Sequence, residues 1–379
     1  MRILVISDLP QFVTGGAEMQ AMRLIEAWVK QGHEVICLGR RMGSAPVQVG
    51  SGLIETHRIH TLSWLGRPGR ALSYAWSLAV MLIRFRHRFD VVYTRFLHEA
   101  ASTTALLKSL RWIRAPLIAT PASVRGEGDV RVLQALPLSR KIIRLLDRHC
   151  DAINLIADEM KEELTQAGFS GRNFTHIPNG IHVRPLEGRH VNRPIRFIAV
   201  GRLAKQKAYD VLLEALASIR TRLHPGQFTI IGDGPEKSAL QDMSKALGLS
   251  PYIVWKGELD QASVQRELAK AHVYLLPSRY EGLSNAGLEA MERALPMIVS
   301  RVGGLDLHID ADMGWKVIPE DSASLATAIT VAMESTPEEL LAKGARCRKL
   351  IESQFDIDVT SNCYAELFAG LHRAGCGET

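Results

Sequence analysis

Cysteine is scarce and unpatterned in this chain. Cys37, Cys150, Cys347, Cys363 and Cys376 are scattered over 379 residues. Their number is odd and no CxxC pair occurs, which argues against a disulfide framework or a zinc ribbon and points to a reducing, cytoplasmic setting. Aromatics are few, at 6%. No apolar run is long enough to cross a bilayer: the longest uncharged one, Ala71 to Ile83, is 13 residues, about seven short of a span. The opening MRILVISDLP has no basic region, apolar core and small-residue cleavage site in succession, so no export is expected. Nor is there a short-period repeat, a heptad or a low-complexity tract, which sets aside solenoids and coiled coils.

What is present is an ordinary globular mixture, 46% apolar and 23% charged, in a chain too long for one hydrophobic core, so two domains are expected. The formal charge is +6 and unevenly spread: residues 84–148 hold 13 Lys/Arg against 5 Asp/Glu. There the apolar run meets Arg84, Arg86, His87 and Arg88. An apolar helix ending in a basic cluster fits peripheral contact with an anionic membrane through the N-terminal domain. It equally fits a buried helix with a solvated basic end, and both readings stay open. No aromatic-rich RNA signature or zinc spacing accompanies the charge, so no nucleic-acid partner is expected.

Ile3 to Ile6 is an apolar strand, a helical period runs from Gly16 to Lys30 until Gly32 stops it, and Glu34 to Leu38 is a second strand. Such a βαβ unit implies a parallel sheet with a right-handed crossover. Further strands are expected at Val91 to Tyr93, Leu117 to Ala119 and Ala152 to Ile156. A second series follows Pro194, at Ile195 to Val200, Phe228 to Ile231, Ile253 to Trp255, Val273 to Leu276 and Met297 to Val299. Residues 177–194 between them carry three prolines, two glycines and an Asn-Gly turn, which marks a hinge. The fold class is therefore α/β, with two Rossmann-like doubly wound domains, 1–184 and 193–352, facing across a cleft. Ligand sites in such domains lie in loops after strands.

Four such loops stand out. Gly15 and Gly16 open a helix, where a close backbone and the helix dipole favour an anion; a structural cap explains them equally well. Gly201 ends a strand, and Arg202 and Lys207 follow before the next helix, a placement suited to a diphosphate. Gly232, Asp233, Gly234 and Pro235 read as turn chemistry, and Asp233 has no neighbouring carboxylate to make a metal site. Finally, Glu281 on a loop and Glu289 on the following helix are eight positions apart with Gly282, Leu283 and Ser284 between them. The pair can grip separate polyol groups of one ligand.

Taken together, Gly15-Gly16-Ala17-Glu18, Gly201-Arg202 with Lys207, Gly232-Asp233-Gly234-Pro235, the Glu281/Glu289 pair in EGLSNAGLEAM and Gly303-Gly304 resemble, in order and over nearly the whole chain, the retaining GT-B glycosyltransferases of the family 4 type. The resemblance implies transfer of a hexosyl group from a nucleoside diphosphate sugar with retention. Arg202 and Lys207 would hold the diphosphate, Glu289 the ribose and Glu281 the sugar hydroxyls; these cations and Glu281 are the catalytic candidates. The amides around Gly15 and Gly16 would approach the phosphate from the other domain, and the backbone from Trp255 to Gly257 would meet the base. Because fixed cations and amides stabilise the departing diphosphate, no metal and no resident cofactor are expected, and a front-face mechanism follows from the likeness. A helix from about 357 resembles the family's C-terminal helix, which crosses back onto the N-terminal domain, giving that domain the range 357–379 as well.

The chain departs from the family pattern at Ala208 and Ala294, where Gly is usual, and at Leu307, where an acid is common. It also lacks the His that many members carry after the strand ending near Thr120. On the acceptor or sugar side the candidates in its place are Ser123, Arg125, Glu127 and His98. The acceptor expected is a lipid-linked or growing surface polysaccharide glycan such as lipopolysaccharide, met by a cytoplasmic protein at the inner membrane face. The alternatives are a GT-B epimerase, a synthase acting on a soluble substrate, and a nucleotide-sugar-binding scaffold without turnover.

Overall fold

The computed structural model describes residues 1–13, 15–62, 64, 66–122, 128–186 and 188–376, the side chains of residues 67, 375 and 376 excepted. The chain divides into two compact units, Met1–His182 with the segment from Ile357, and Val183–Asp356. The second unit thus takes in 185–192 and 353–356, which the sequence left outside both domains, and Val183 and Arg184, which it placed in the first.

In the first unit the elements run β1 (Arg2–Ile6), α1 (Gly16–Lys30), β2 (Glu34–Gly39), β3 (Val47–Val49), β4 (Gly52–Arg58), α2 (Gly66–Phe85), β5 (Val91–Arg95), α3 (Glu99–Ser109), β6 (Leu117–Thr120), α4 (Asp129–Gln134), α5 (Ser139–His149), β7 (Ala152–Leu155), α6 (Glu159–Ala167) and β8 (Phe174–His176). They build one sheet of order β3-β4-β2-β1-β5-β6-β7-β8. Every pairing is parallel except the β3–β4 edge hairpin, whose turn uses Gly50 at φ +54°. The sequence pattern missed β3, β4 and β8. They are short or alternate with polar residues, as suits the sheet's margins, whereas β1 and β5 are central strands opening on or dominated by buried apolar residues.

The apolar run of α2 resolves into two stripes. Tyr74, Leu78, Leu82 and Phe85 enter the core, while Leu72, Trp76 and Val80 on the opposite face are 72%, 75% and 48% exposed. The helix is apolar inside and partly apolar outside, so it is neither fully buried nor merely solvated. No helix of the described residues is long and apolar enough to cross a membrane. At its basic end Arg88 is engaged, paired with Glu55 at 2.5 Å and lying over the Phe85 ring.

The second unit runs β9 (Phe197–Val200), α7 (Tyr209–Ser218), β10 (Phe228–Ile231), α8 (Lys237–Ala246), β11 (Ile253–Gly257), α9 (Gln261–Lys270), β12 (Val273–Leu276), α10 (Asn285–Glu292), β13 (Met297–Ser300), β14 (Gly314–Val317), α11 (Ser322–Glu334) and α12 (Pro337–Leu350). Its six strands are all parallel, in the order β11-β10-β9-β12-β13-β14. The strand expected from Ile195 begins only at Phe197, since Pro194 supplies no amide to a ladder.

The last helix, α13 (Ile357–Cys376), belongs to the first unit and packs on α1. Its Tyr364 and Phe368 are fully buried with ring centroids 5.8 and 5.3 Å from Trp28, which also meets Tyr93 edge-on at 5.4 Å. Asn154 donates to the Tyr364 hydroxyl at 2.7 Å, so the cluster leaves that buried oxygen satisfied. Removing the Phe368 ring opens a cavity in this contact. Phe368→Ala is expected to cost about 3–5 kcal/mol, read from the shift of the first unit's urea unfolding midpoint; a shift within error would mean that α13 is dispensable.

Candidate functional site

Within the second unit the chemistry-bearing loops leave the carboxyl ends of β9, β10, β12 and β13. After β9 the chain passes Gly201 and Arg202, makes a short 3-10 turn over Lys205–Lys207, and enters α7 through Ala208 at φ +52°. That left-handed backbone explains why glycine is usual here; a side chain costs roughly 1–2 kcal/mol in this region. Ala294, at φ +53° after α10, carries the same strain. Both departures from the family pattern therefore keep the backbone that glycine would adopt.

After β12 the loop carries Ser278, Arg279 and Glu281, and Ser284 caps α10 by accepting from the Gly287 amide at 3.3 Å. Lys207 and Glu281 form an ion pair through Nζ and Oε2, with side chains only 15% and 12% exposed. Ser278 Oγ donates to the same Oε2 at 3.2 Å, leaving Oε1 without a protein partner among the described residues. The Lys207 stem lies across Gly201, where an added methyl would meet the Lys207 Cε and the Tyr209 hydroxyl. Glu289 is buried on α10. The Tyr274 hydroxyl donates to the Val200 carbonyl at 3.0 Å; burial raises its pKa well above the phenol range, and Tyr209, Glu281 and Glu289 raise it further. Both carboxylates are thus in electrostatic reach of the same buried hydroxyl at the end of β9.

Arg279 and Gln206, which the sequence pattern did not single out, tie the two loops. Arg279 bonds both oxygens of Asp210 at 2.9 and 2.7 Å, the Lys205 carbonyl at 2.7 Å and Glu320 at 2.7 Å. Its amide donates to the Gln206 carbonyl at 2.8 Å, and Gln206 Nε2 returns a bond to the Tyr280 carbonyl at 3.1 Å. Burial pushes the Asp210 carboxyl upward, but the forked Arg279 outweighs it and holds the pKa below the usual range; the guanidinium pKa is raised in turn, mainly by Asp210. Asp210 lies 69 positions before Arg279, so no local pattern in the sequence links the two.

Glycines bring the other loops to backbone contact. A methyl on Gly232 would lie 2.0 Å from the Gly201 carbonyl, and one on Gly234 2.3 Å from that of Leu203. Asp233 accepts from the Gly234 amide at 2.7 Å and from Lys237 at 2.6 Å, so it serves the turn. Gly257 closes β11 at φ +67° and accepts from the Gly232 amide at 2.8 Å. Gly304 faces Gly282, and the amides of Gly303 and Gly304 are taken by buried Asp306 at 3.0 and 2.8 Å. The acid of this loop is therefore Asp306, while Leu307 is half exposed. No group of three or more His, Cys, Asp or Glu residues among those described could hold a metal.

In the first unit Gly15 is the N-cap of α1 and Gly16 its first residue. Glu18 folds back over them, its carboxylate 2.1 Å from where a Gly15 Cβ would stand. Burial raises its pKa and Asp8 adds to this, against its own amide, Arg95 and Arg41, which lower it. His98 precedes α3 at the N-cap position without a side-chain cap bond, and stacks on Phe96 at 5.1 Å, lining a cavity of about 450 Å³ at the ends of β1, β2 and β5. Ser123, Arg125 and Glu127 lie outside the described residues. Asp129, which the sequence reading passed over, is buried and accepts from the amides of Leu97 at 2.7 Å and Ala122 at 2.8 Å, fixing the exits of β5 and β6.

A side chain at Gly304 would stand 2.1 Å from the Gly282 carbonyl and force the two loops apart. Gly304→Ala is expected to destabilise the second unit by about 1–3 kcal/mol; an unchanged urea midpoint would contradict the close backbone approach.

Two family models match the chain, Glycosyltransferase Family 4 over residues 14–185 and Glycosyl transferases group 1 over residues 194–335. A glycogen synthase of Mycobacterium tuberculosis is 27% identical, over 98% of this chain and 95% of its own length. A phosphatidylinositol N-acetylglucosaminyltransferase component of Arabidopsis thaliana is 25% identical, over 90% of this chain and 77% of its own. Among solved structures, the sucrose-phosphate synthase of Thermosynechococcus elongatus superposes with a TM-score of 0.80 at 17% identity, covering 99% of this chain and 100% of the other. Anabaena HepE in complex with UDP gives 0.74 at 17% identity, covering 98% and 100%. With both halves matched in order and the two parallel sheets in place, the chain belongs to glycosyltransferase family 4 and is a glycosyltransferase of the GT-B fold.

Proposed function

We propose that the protein transfers a hexosyl group from a nucleoside diphosphate sugar to a hydroxyl of a lipid-linked or surface polysaccharide glycan, with retention at the anomeric carbon and without a metal. The observation that carries this reading is the Lys207–Glu281 pair between the exits of β9 and β12. An ammonium has three donors; with one on Glu281, two remain for the oxygens of a leaving diphosphate. Arg202, from the same loop, supplies a planar second cation. Charge developing on the leaving group is then met by donors already fixed in place, which lowers the barrier without reorganisation. Glu281 Oε1 is left to accept from a sugar hydroxyl, and Glu289 serves the ribose. The UDP complex of HepE supports a nucleotide donor, and the lipid-linked substrate named for the Arabidopsis relative supports a lipid-linked acceptor. Contact with the inner membrane face is supported by the exposed apolar stripe of α2.

A thermal-shift screen over UDP, GDP, ADP and TDP sugars is expected to single out one donor base, and product release from that donor should survive EDTA and keep the anomeric configuration in the product's NMR coupling. Measurable binding with no release of nucleoside diphosphate from any donor would make the protein a binding scaffold instead. Lys207→Ala and Glu281→Ala are each expected to lower kcat/KM at least about tenfold, roughly 1.4 kcal/mol of transition-state stabilisation. Unchanged kcat/KM in folded variants would refute the roles given to these residues.

A further inference from the structure

Three cavities with shared lining residues lie in succession over the first unit, starting at the carboxyl ends of its strands. The first, about 450 Å³, opens beside Ser7, Asp8, Glu18 and His98. It shares Arg40, Arg41 and Arg70 with a second of about 560 Å³, which Arg58 and Thr61 complete. Arg58 also borders a third of about 530 Å³, walled by Leu62, Trp76, Val80 and Met81. The lining shifts in that order from a mixed set of carboxylates, imidazole and guanidinium groups, through guanidinium groups without a carboxylate, to a wall that is mostly hydrocarbon.

The middle cavity has four arginines and no acidic residue in its lining, and none of the four is held in an ion pair or by a side-chain hydrogen bond among the described residues. Some arginines elsewhere in the unit are paired, Arg2 with Asp90 and Arg88 with Glu55. Four arginines around one cavity whose lining holds no carboxylate make a surface that attracts an anion, and their forked donors suit phosphate oxygens. The third cavity is equally unusual, since Leu62, Trp76 and Val80 are 46%, 75% and 48% exposed and together form an apolar patch. A ligand matching all three stretches is an amphiphile: polar at one end, anionic next to it, hydrocarbon beyond.

We infer that this track binds the acceptor as a lipid-linked phosphate, with the sugar at the strand ends, the phosphate on Arg40, Arg41, Arg58 and Arg70, and the first part of the hydrocarbon against Leu62, Trp76 and Val80. The inference rests on the transferase reading above and specifies the chemical class of its acceptor. It uses none of the residues given to the donor.

Calorimetric titration of the full chain with dodecyl phosphate below its micellar concentration tests it, with dodecyl glucoside and inorganic pyrophosphate as the tail-only and anion-only probes. Dodecyl phosphate is expected to bind at least about tenfold more tightly than either. Arg58→Glu with Arg70→Glu should remove that advantage, and Trp76→Ser with Val80→Ser should reduce it to the level of pyrophosphate. Circular dichroism reports whether the variants fold, and UDP binding on the same samples reads the donor assignment separately. Equal binding of dodecyl phosphate and dodecyl glucoside, or no effect of the arginine pair, would overturn the inference. Adsorption to phosphatidylglycerol vesicles with no binding of monomeric dodecyl phosphate would also overturn it, and would make the surface a membrane contact.

Discussion

The second unit's site depends on the clamp made by Arg279. One guanidinium joins Asp210 at the start of α7, the Lys205 carbonyl in the turn before it, and Glu320 after β14. The loop that carries Lys207 and the loop that carries Glu281 are thereby held at one spacing, and their ion pair follows from that spacing. A lysine at position 279 would keep the charge but lose the fork. The backbone contacts of Gly232 with Gly201 and of Gly304 with Gly282 add the remaining two loops to the same frame. A site whose partners are fixed before anything binds needs little reorganisation when charge develops.

Much of the scaffold was legible because buried parallel strands are continuous apolar runs and α1 has a clear helical period with a glycine stop. What escaped was marginal structure: β3, β8 and β14, three or four residues each, and β4, whose ETHR end is polar. At the site, cations after a strand and paired carboxylates were visible as types in a spacing. The clamp was not, since Arg279, Gln206 and Asp210 resemble any surface residues until the two loops are seen side by side. Asp129 was missed for the same reason: its role comes from burial and from the two amides it meets.

Ala208 and Ala294 show how a sequence departure can leave geometry unchanged. Both hold a left-handed backbone and both are buried, so packing around the methyl group offsets a conformational cost of about 1–2 kcal/mol. A residue usual for its freedom can be replaced where the surroundings over-determine the conformation. The exposed stripe of α2 is the reverse case: nothing in the unit requires Leu72, Trp76 and Val80 to be apolar, and their character therefore has to come from outside the core.

The aromatic contact between α13 and α1 has a temporal side. Tyr364 and Phe368 complete the packing around Trp28, yet more than 300 residues of chain separate them from it. On the ribosome the whole second unit emerges before the first unit can close its own core. Trp28 thus waits, uncovered on that side, for a helix more than 300 residues further along the chain. Such high sequence separation slows folding and lengthens exposure to aggregation, so of the two units the one begun earlier is completed later.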